Sequence, residues 1–256
     1  MGFAFITLTG VLLLRDRRFP RLSLSQWLWL AAAGVLLIYL NQWLFVTGMR
    51  VTQATSPSPV MALNPLLAVL AGALVFRERI TFTRGLGVAL GLSGVVLVAM
   101  MAPQAGVAVP GLGEFLLFLG LVVFIAGGLL IQRLSRDLDV LVIGWAVYLL
   151  GTLMLGLHAL ALGGWERTVL AFDHHWVWWC AIYAGTLGTA MANVGWYRAI
   201  EKIGQSQASP HLYWLAVFGM LSSVITLGES LTAWHVLGLA LVIAGVRLGS
   251  RAEPAA

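Results

Sequence analysis

Four amide side chains interrupt otherwise apolar stretches of this chain: Asn41 and Gln42 within 26–48, Asn64 within 57–76, and Asn193 within 176–196. A polar group in hydrocarbon is costly unless something pairs with it, so each is a candidate for chemistry. Amides donate and accept hydrogen bonds without imposing charge, which suits a site that must hold a small polar solute and then release it. Bonding one helix to another is the competing role. Gln42, Asn64 and Asn193 are the candidates for lining a substrate cavity. Asn41 is the weaker one, because neighbours on a helix point ~100° apart and do not both face one side.

Aromatic rings cluster at Trp196, Tyr197, His211, Tyr213 and Trp214. Flat amphipathic rings hold apolar or cationic solutes. Tyr213 and Trp214 join the substrate-binding candidates, whereas Trp196 and Tyr197 fit bundle packing or a lipid-facing belt better. Proton coupling needs a titratable group facing the same cavity. His211, beside Pro210, is the best placed, since imidazole titrates near neutrality. It is a substrate-binding candidate as well. Glu114 is the second proton candidate, although an acid in a first helical turn also complements the macrodipole. His158 falls near an interface. Asp173, His174 and His175 share a loop without a further well-spaced ligand, so no metal site is expected. No cofactor is expected, because no nucleotide-cradling glycine loop is present. Catalytic residues are not expected either. The chain has no nucleophile elbow, no zinc-hydrolase histidine pair and no paired aspartates in an apolar run.

The elements that carry these residues must be helices crossing a membrane. The chain is 60% hydrophobic and 10% charged, against about 25% charged in soluble domains. Apolar runs of the ~20 residues needed to span occupy 26–48, 57–76, 85–102, 112–132, 140–162, 176–196, 208–228 and 231–249. A further run, 3–14, is short. The runs lack the alternation of barrel strands. The formal charge of +5 does not mark a nucleic-acid binder, because the basic residues lie between apolar runs. With 15–22 placed in the cytoplasm and sides alternating, the inner segments hold Arg15, Arg17, Arg18, Arg21, Arg77, Arg79, Arg84, Arg133, Arg136, Arg198, Lys202, Arg247 and Arg251. The outer ones hold Arg50 and Arg167. Positive charge stays inside, which predicts a multi-pass protein of the inner or plasma membrane with a cytoplasmic C-terminus. Trp176, Trp178 and Trp179 then form an outer aromatic belt. The lone Cys180 excludes an intramolecular disulfide.

Residues 57–97 and 208–248 are copies of one helix–loop–helix: at an offset of 151, 12 of 41 positions are identical. Glu78/Glu229 and Thr81/Thr232 recur in the loops, and Gly87/Gly238 and Gly94/Gly245 in the following helices. The charge bias puts the two loops on opposite sides, so the copies are inverted. The glutamates are read as structural. Gly87 with Gly91, and Ala240 with Ala244, have the spacing that lets helices approach closely. That spacing serves either a junction between the copies or a homodimer. Pro57, Pro59 and Pro210 stand where helices begin and either mark a helix start, the preferred reading for Pro57, or leave carbonyls free beside a substrate, while Pro65 lies deeper and should kink its helix. The domain division is a first repeat at 1–102, a second, inverted repeat at 111–249 and a cytoplasmic tail at 250–256. Aligning the repeats leaves the first short of one helix and most of another, which predicts a truncated start. The fold class is therefore an all-α integral membrane protein, an inverted-repeat bundle of five plus five helices with the N-terminal helix and part of the second missing. Inverted repeats of this kind are characteristic of secondary transporters.

Two stretches carry a resemblance to a known family. They are Gly48-Met49-Arg50-Val51-Thr52-Gln53-Ala54-Thr55-Ser56 with Met61-Ala62-Leu63-Asn64-Pro65, and Arg198-Ala199-Ile200-Glu201-Lys202-Ile203-Gly204-Gln205-Ser206-Gln207-Ala208-Ser209. With the Glu-x-x-Thr loops that follow, the chain resembles the EamA-like group of the drug/metabolite transporter superfamily. The resemblance implies ten helices, cytoplasmic termini, and export of amino acids or other small metabolites through a central cavity. An exchanger of drugs or nucleotide sugars is the alternative within the fold. A channel, a scaffold and an intramembrane enzyme are the less favoured classes. A small-molecule substrate and the bilayer are the expected partners.

Overall fold

The computed structural model describes residues 1–16, 22–51, 57–77, 81–100, 111–162, 175–227 and 233–249. Every regular element among them is helical. In hydrocarbon the backbone must satisfy its own hydrogen bonds, and a helix does so within one segment. Helix α1 is Gly2–Asp16. A continuous helical rod follows, made of α2 (Leu24–Gly34), a π-helical segment Val35–Leu40 and α3 (Asn41–Val51). Next come α4 (Pro57–Ala62), α5 (Asn64–Phe76), α6 (Phe82–Met100), α7 (Leu112–Leu134) and α8 (Val140–Ala161). The second rod joins α9 (His175–Tyr183), a π segment Ala184–Met191 and α10 (Ala192–Ile203). Helix α11 (Gln205–Ala208) and a 3₁₀ turn, Ser209–Tyr213, lead into α12 (Trp214–Leu227), and α13 is Ala233–Gly249. Among the described residues, Leu24–Val51, Leu112–Leu134 and Val140–Ala161 are long and apolar enough to cross a membrane by length and composition.

Local chemistry sets several ends. Ser23 caps α2 in a reciprocal box: its Oγ accepts from Gln26 N at 3.3 Å, and Gln26 Oε1 accepts from Ser23 N at 2.9 Å. Asp139 caps α8 by accepting from Leu141 N at 2.8 Å, and its other oxygen takes Arg15 at 2.9 Å. Helix α5 stops at Arg77, whose left-handed backbone (φ 54°) sends its N–H to Gly72 O.

Two compact units divide the chain: residues 1–43 with 126–202, and residues 44–125 with 203–256. Each therefore mixes helices from both sequence repeats. In the first unit, α8 is the hub. Trp145 Nε1 donates to Thr9 Oγ1 of α1 at 3.1 Å. Ile38 of the first π segment occupies the notch left by Gly151 of α8, and Gly34 lies against Val147 O of the same helix. The repeat partner of Gly34 is Gly185, in the second π segment, and it lies against Phe3 of α1. These equivalent glycines, one just before the first π segment and one within the second, thus each seat on a helix of the other repeat.

The second unit is built on α6 and α13. A Cβ at Gly87 would lie 2.8 Å from Gly245 O, one at Gly245 would lie 2.7 Å from Gly87 O, and one at Gly94 would lie 2.6 Å from Gly238 O. Gly87/Gly238 and Gly94/Gly245 are the repeat pairs, so the crossing maps onto itself when the copies are exchanged. Contact positions rise along α6 as they fall along α13, so the equivalent helices run antiparallel, as inversion requires. The close-packing spacing of Gly87 and Gly91 is thus used within the chain. On α13, Gly238, Gly245 and Gly249 meet it rather than Ala240, which is exposed. Alongside lies a core of Ala62, Val95, Tyr213, Val217, Val242 and Val246.

Candidate functional site

The helix predicted over 57–76 breaks at Leu63, two residues before Pro65. Proline lacks an N–H and crowds the preceding turn, so one helix becomes α4 and α5. No side chain caps the new start of α5. Asn64 stands at that start. It is 6% exposed, and its Oδ1 has no hydrogen-bond partner. An orphaned buried acceptor costs about 1–3 kcal/mol, which keeps Asn64 a candidate for pairing with a solute. In the second copy the equivalent stretch is also irregular, with Pro210 inside the 3₁₀ turn Ser209–Tyr213 before α12. Discontinuous helices whose half-helix N-termini face solute are a recurring transporter device.

Gln42 and Asn193, partners at the offset of 151, each follow a π segment. The π segments correspond as well: Val35–Leu40 maps onto residues 186–191 of Ala184–Met191. Wide π turns are rare and often sit at functional positions. In the second copy, side chains engage backbone carbonyls around the widened turn. Thr189 Oγ1 donates to Ala184 O at 2.7 Å, Thr186 Oγ1 to Ile182 O at 2.7 Å, and Asn193 Nδ2 to Thr189 O at 2.9 Å. Asn193 keeps its Oδ1 for other partners. Gln42 and Asn41 are both half-buried.

The remaining candidates divide by unit. Gln42 and Asn193 belong to the first; Asn64, Glu114, His211, Tyr213 and Trp214 belong to the second. Tyr213 is 3% exposed; its hydroxyl donates to Val88 O at 3.2 Å and its ring fills the space beside Gly91. Trp214 is half-buried and lies against Phe218, ring centroids 5.9 Å apart. His211 is exposed, with Nδ1 3.3 Å from Ala208 O. Glu114 Oε2 accepts from Gly111 N at 2.8 Å, a bond at the start of α7, where the sequence reading weighs only a macrodipole role against proton coupling. His158 Nδ1 pairs with Tyr39 Oη at 2.9 Å. Tyr197 is buried at 2% exposure, as packing predicts. Glu78, Glu229, Thr232, Asp173 and His174 lie outside the described residues, as do residues 52–56 of the first motif stretch.

A buried polar cluster escaped the sequence reading. Arg84 is 8% exposed and donates through Nη2 to Ser206 Oγ; Gln205, Ser206 and Ser209 are fully buried. Ser209 Oγ donates to Gln205 O at 2.7 Å. The signal was present in the spacing of Gln205 and Ser209, four apart on one helical face, and in an arginine three residues after Thr81. Thr152 of α8 was also missed; its Oγ1 is buried without a partner.

Comparison with known proteins agrees with this architecture. An uncharacterized transporter of Bacillus subtilis, YyaM, is 24% identical over 219 residues, which cover 85% of this chain and 71% of that one. An uncharacterized transporter of Synechocystis is 24% identical over 246 residues, covering 89% and 72%. One from Archaeoglobus fulgidus is 25% identical over 195 residues, covering 74% and 65%. A solved crystal structure superposes with a TM-score of 0.76 at 17% identity, covering 97% of this chain and 85% of that one, and so shares the fold. The EamA-like transporter family matches at residues 1–100 and 111–251. Over those two stretches this chain belongs to the EamA-like transporter family, and it is a multi-pass membrane transporter.

Proposed function

We propose that the chain exports small zwitterionic metabolites such as amino acids across the inner or plasma membrane, by alternating access of its inverted repeats. The observation that carries this reading is Asn64. Its unpartnered Oδ1 suits an ammonium donor, and the uncapped N-terminus of α5 beside it favours a carboxylate. One small solute with both groups would satisfy both features. Within the same unit, His211, Trp214 and Glu114 are secondary candidates, with His211 or Glu114 as the proton group, while Gln42 and Asn193, each behind a π segment, are the amide candidates of the other unit. The positive-inside bias supports a cytoplasmic C-terminus.

The test is efflux from vesicles loaded with a mixture of radiolabelled amino acids. The expected result is saturable flux with counterflow for at least one of them, lost in Asn64→Leu protein that still inserts. Flux without saturation or counterflow would mark a channel. Absence of flux for amino acids with counterflow for a drug or a nucleotide sugar would retain the transporter and reject the substrate class.

A further inference from the structure

A cleft of about 170 Å³ opens in the first unit where α2 begins and α7 ends. Its walls are Ser25, Gln26 and Trp29 from α2, and Leu130, Arg133 and Leu134 from α7, with Asp137 and Leu138 just beyond. The Arg133 guanidinium lies over the Trp29 indole, 5.0 Å from the ring centroid. A guanidinium stacked in this way still presents its N–H edge to an oxyanion. Asp137 follows one turn later. Among the described residues neither Arg133 nor Asp137 is in an ion pair, although both are exposed at the same cleft. Asp137 lies beyond the end of α7 at Leu134, so the two charges do not form an intrahelical pair. Here the two charges are left for something else.

The surroundings say what. Trp29 is 42% exposed, and the leucines of α7 continue the apolar wall. Tryptophan at the end of a spanning helix sits at head-group level. Ser25 lies in the first turn of α2, where a hydroxyl and the positive end of the macrodipole favour an anion. A ligand for this cleft has an anionic group, a hydrogen-bonding cation a short bridge away and a long apolar part. We infer that the cleft between Arg133 and Asp137 holds the head group of an aminophospholipid of the phosphatidylethanolamine class, phosphate on Arg133 and ammonium on Asp137, with acyl chains along Trp29 and the α7 leucines. A phosphatidylglycerol head satisfies Arg133 but offers Asp137 only neutral hydroxyls, without the charge of an ammonium. A choline head brings a cation with no N–H to donate to the carboxylate. The inference does not depend on the transported substrate.

Native mass spectrometry of the full-length protein, supplied with ethanolamine, glycerol and choline phospholipids of the same acyl chains, tests it. The ethanolamine lipid should be retained about fivefold better than either of the others, the scale of one surface charge contact. Asp137→Asn should erase that preference, Asp137→Glu should keep it, and Arg133→Gln should weaken all three lipids together. Equal retention of the three lipids by the wild type would overturn the proposal, as would an ethanolamine preference that survives Asp137→Asn. Soluble phosphoethanolamine separates the two sources of this chemistry. If it binds the cleft in a manner sensitive to Asp137→Asn while no lipid preference exists, the cleft serves a free metabolite and the lipid assignment falls. Should Arg133→Gln fail to fold, the Asp137→Asn and Asp137→Glu pair still decides, because both keep the arginine stacked on Trp29.

Discussion

At the scale of single residues, Asn64 and Tyr213 make opposite predictions. The Asn64 Oδ1 is buried and unpaired, so removing it should stabilise the ligand-free protein by up to about 1–3 kcal/mol. If it also binds solute, the same change should damage transport. Asn64→Leu is therefore expected to raise the melting temperature in detergent while lowering flux roughly ten- to a hundredfold, the scale of one hydrogen bond to a charged group. A rise in stability with wild-type flux would leave Asn64 out of the site. Tyr213 has no such orphan: its hydroxyl is bonded to Val88 O and its ring is wedged beside Gly91. Tyr213→Phe should lose about 1 kcal/mol with the substrate KM unchanged. Tyr213→Ala should lose about 3–5 kcal/mol through the cavity it leaves, and its flux should fall only as far as the amount of folded protein does. A shifted KM in Tyr213→Phe would put the hydroxyl on the solute. The sequence could flag both residues as polar or aromatic groups in apolar runs. It could not separate them, because hydrogen-bond partners come from another helix, here α6.

At the scale of elements, the apolar runs located the helices, and Pro65, expected to kink its helix, lies two residues after the observed break. Hydropathy is a local property, so this much is readable along a chain. The π segments were not readable. Val35–Leu40 and Ala184–Met191 look like ordinary apolar helix, and nothing in composition distinguishes a turn bonded five residues back from one bonded four back. The run at 176–196 also stopped short of the observed helix end at Ile203. Its last turns carry Arg198, Glu201 and Lys202, which lower hydropathy without ending the helix. Helix α8 offers a controlled test of what holds a π segment. At Gly151 an added Cβ collides with the Ile38 side chain, whereas at Gly156 it meets nothing within 4 Å. Gly151→Ala should cost about 1–3 kcal/mol by overpacking. Gly156→Ala should be neutral or gain up to about 1 kcal/mol from helix propensity. Thermal unfolding of both in one detergent measures the difference, and equal melting temperatures would mean that the first π segment is not held by this contact.

At the scale of the molecule, the repeat in the sequence and the units in the structure divide the chain differently. The repeats follow chain order. The units each collect helices from both repeats, residues 1–43 with 126–202 and residues 44–125 with 203–256. Duplication is visible in one dimension, but exchange of helices between copies is a tertiary fact. The α6–α13 crossing joins the two descriptions, since repeat-equivalent glycines meet there antiparallel. An antiparallel crossing of equivalent helices requires that equivalent loops emerge on opposite sides of the membrane. The loops before α6 and α13 are the ones to mark. Cys180 is exposed and would react by itself, so the background is Cys180→Ser. In that background, Arg79→Cys should react with a membrane-impermeant maleimide only in inside-out vesicles, and Ser230→Cys only in intact cells. The arginines around the first loop predict which side each takes. Labelling of both from one compartment would refute the inversion and remove the geometric basis for alternating access. Labelling from opposite sides with the compartments exchanged would keep the inversion and reverse the orientation. It would also move the Arg133–Asp137 cleft to the outer leaflet without altering the head group it selects.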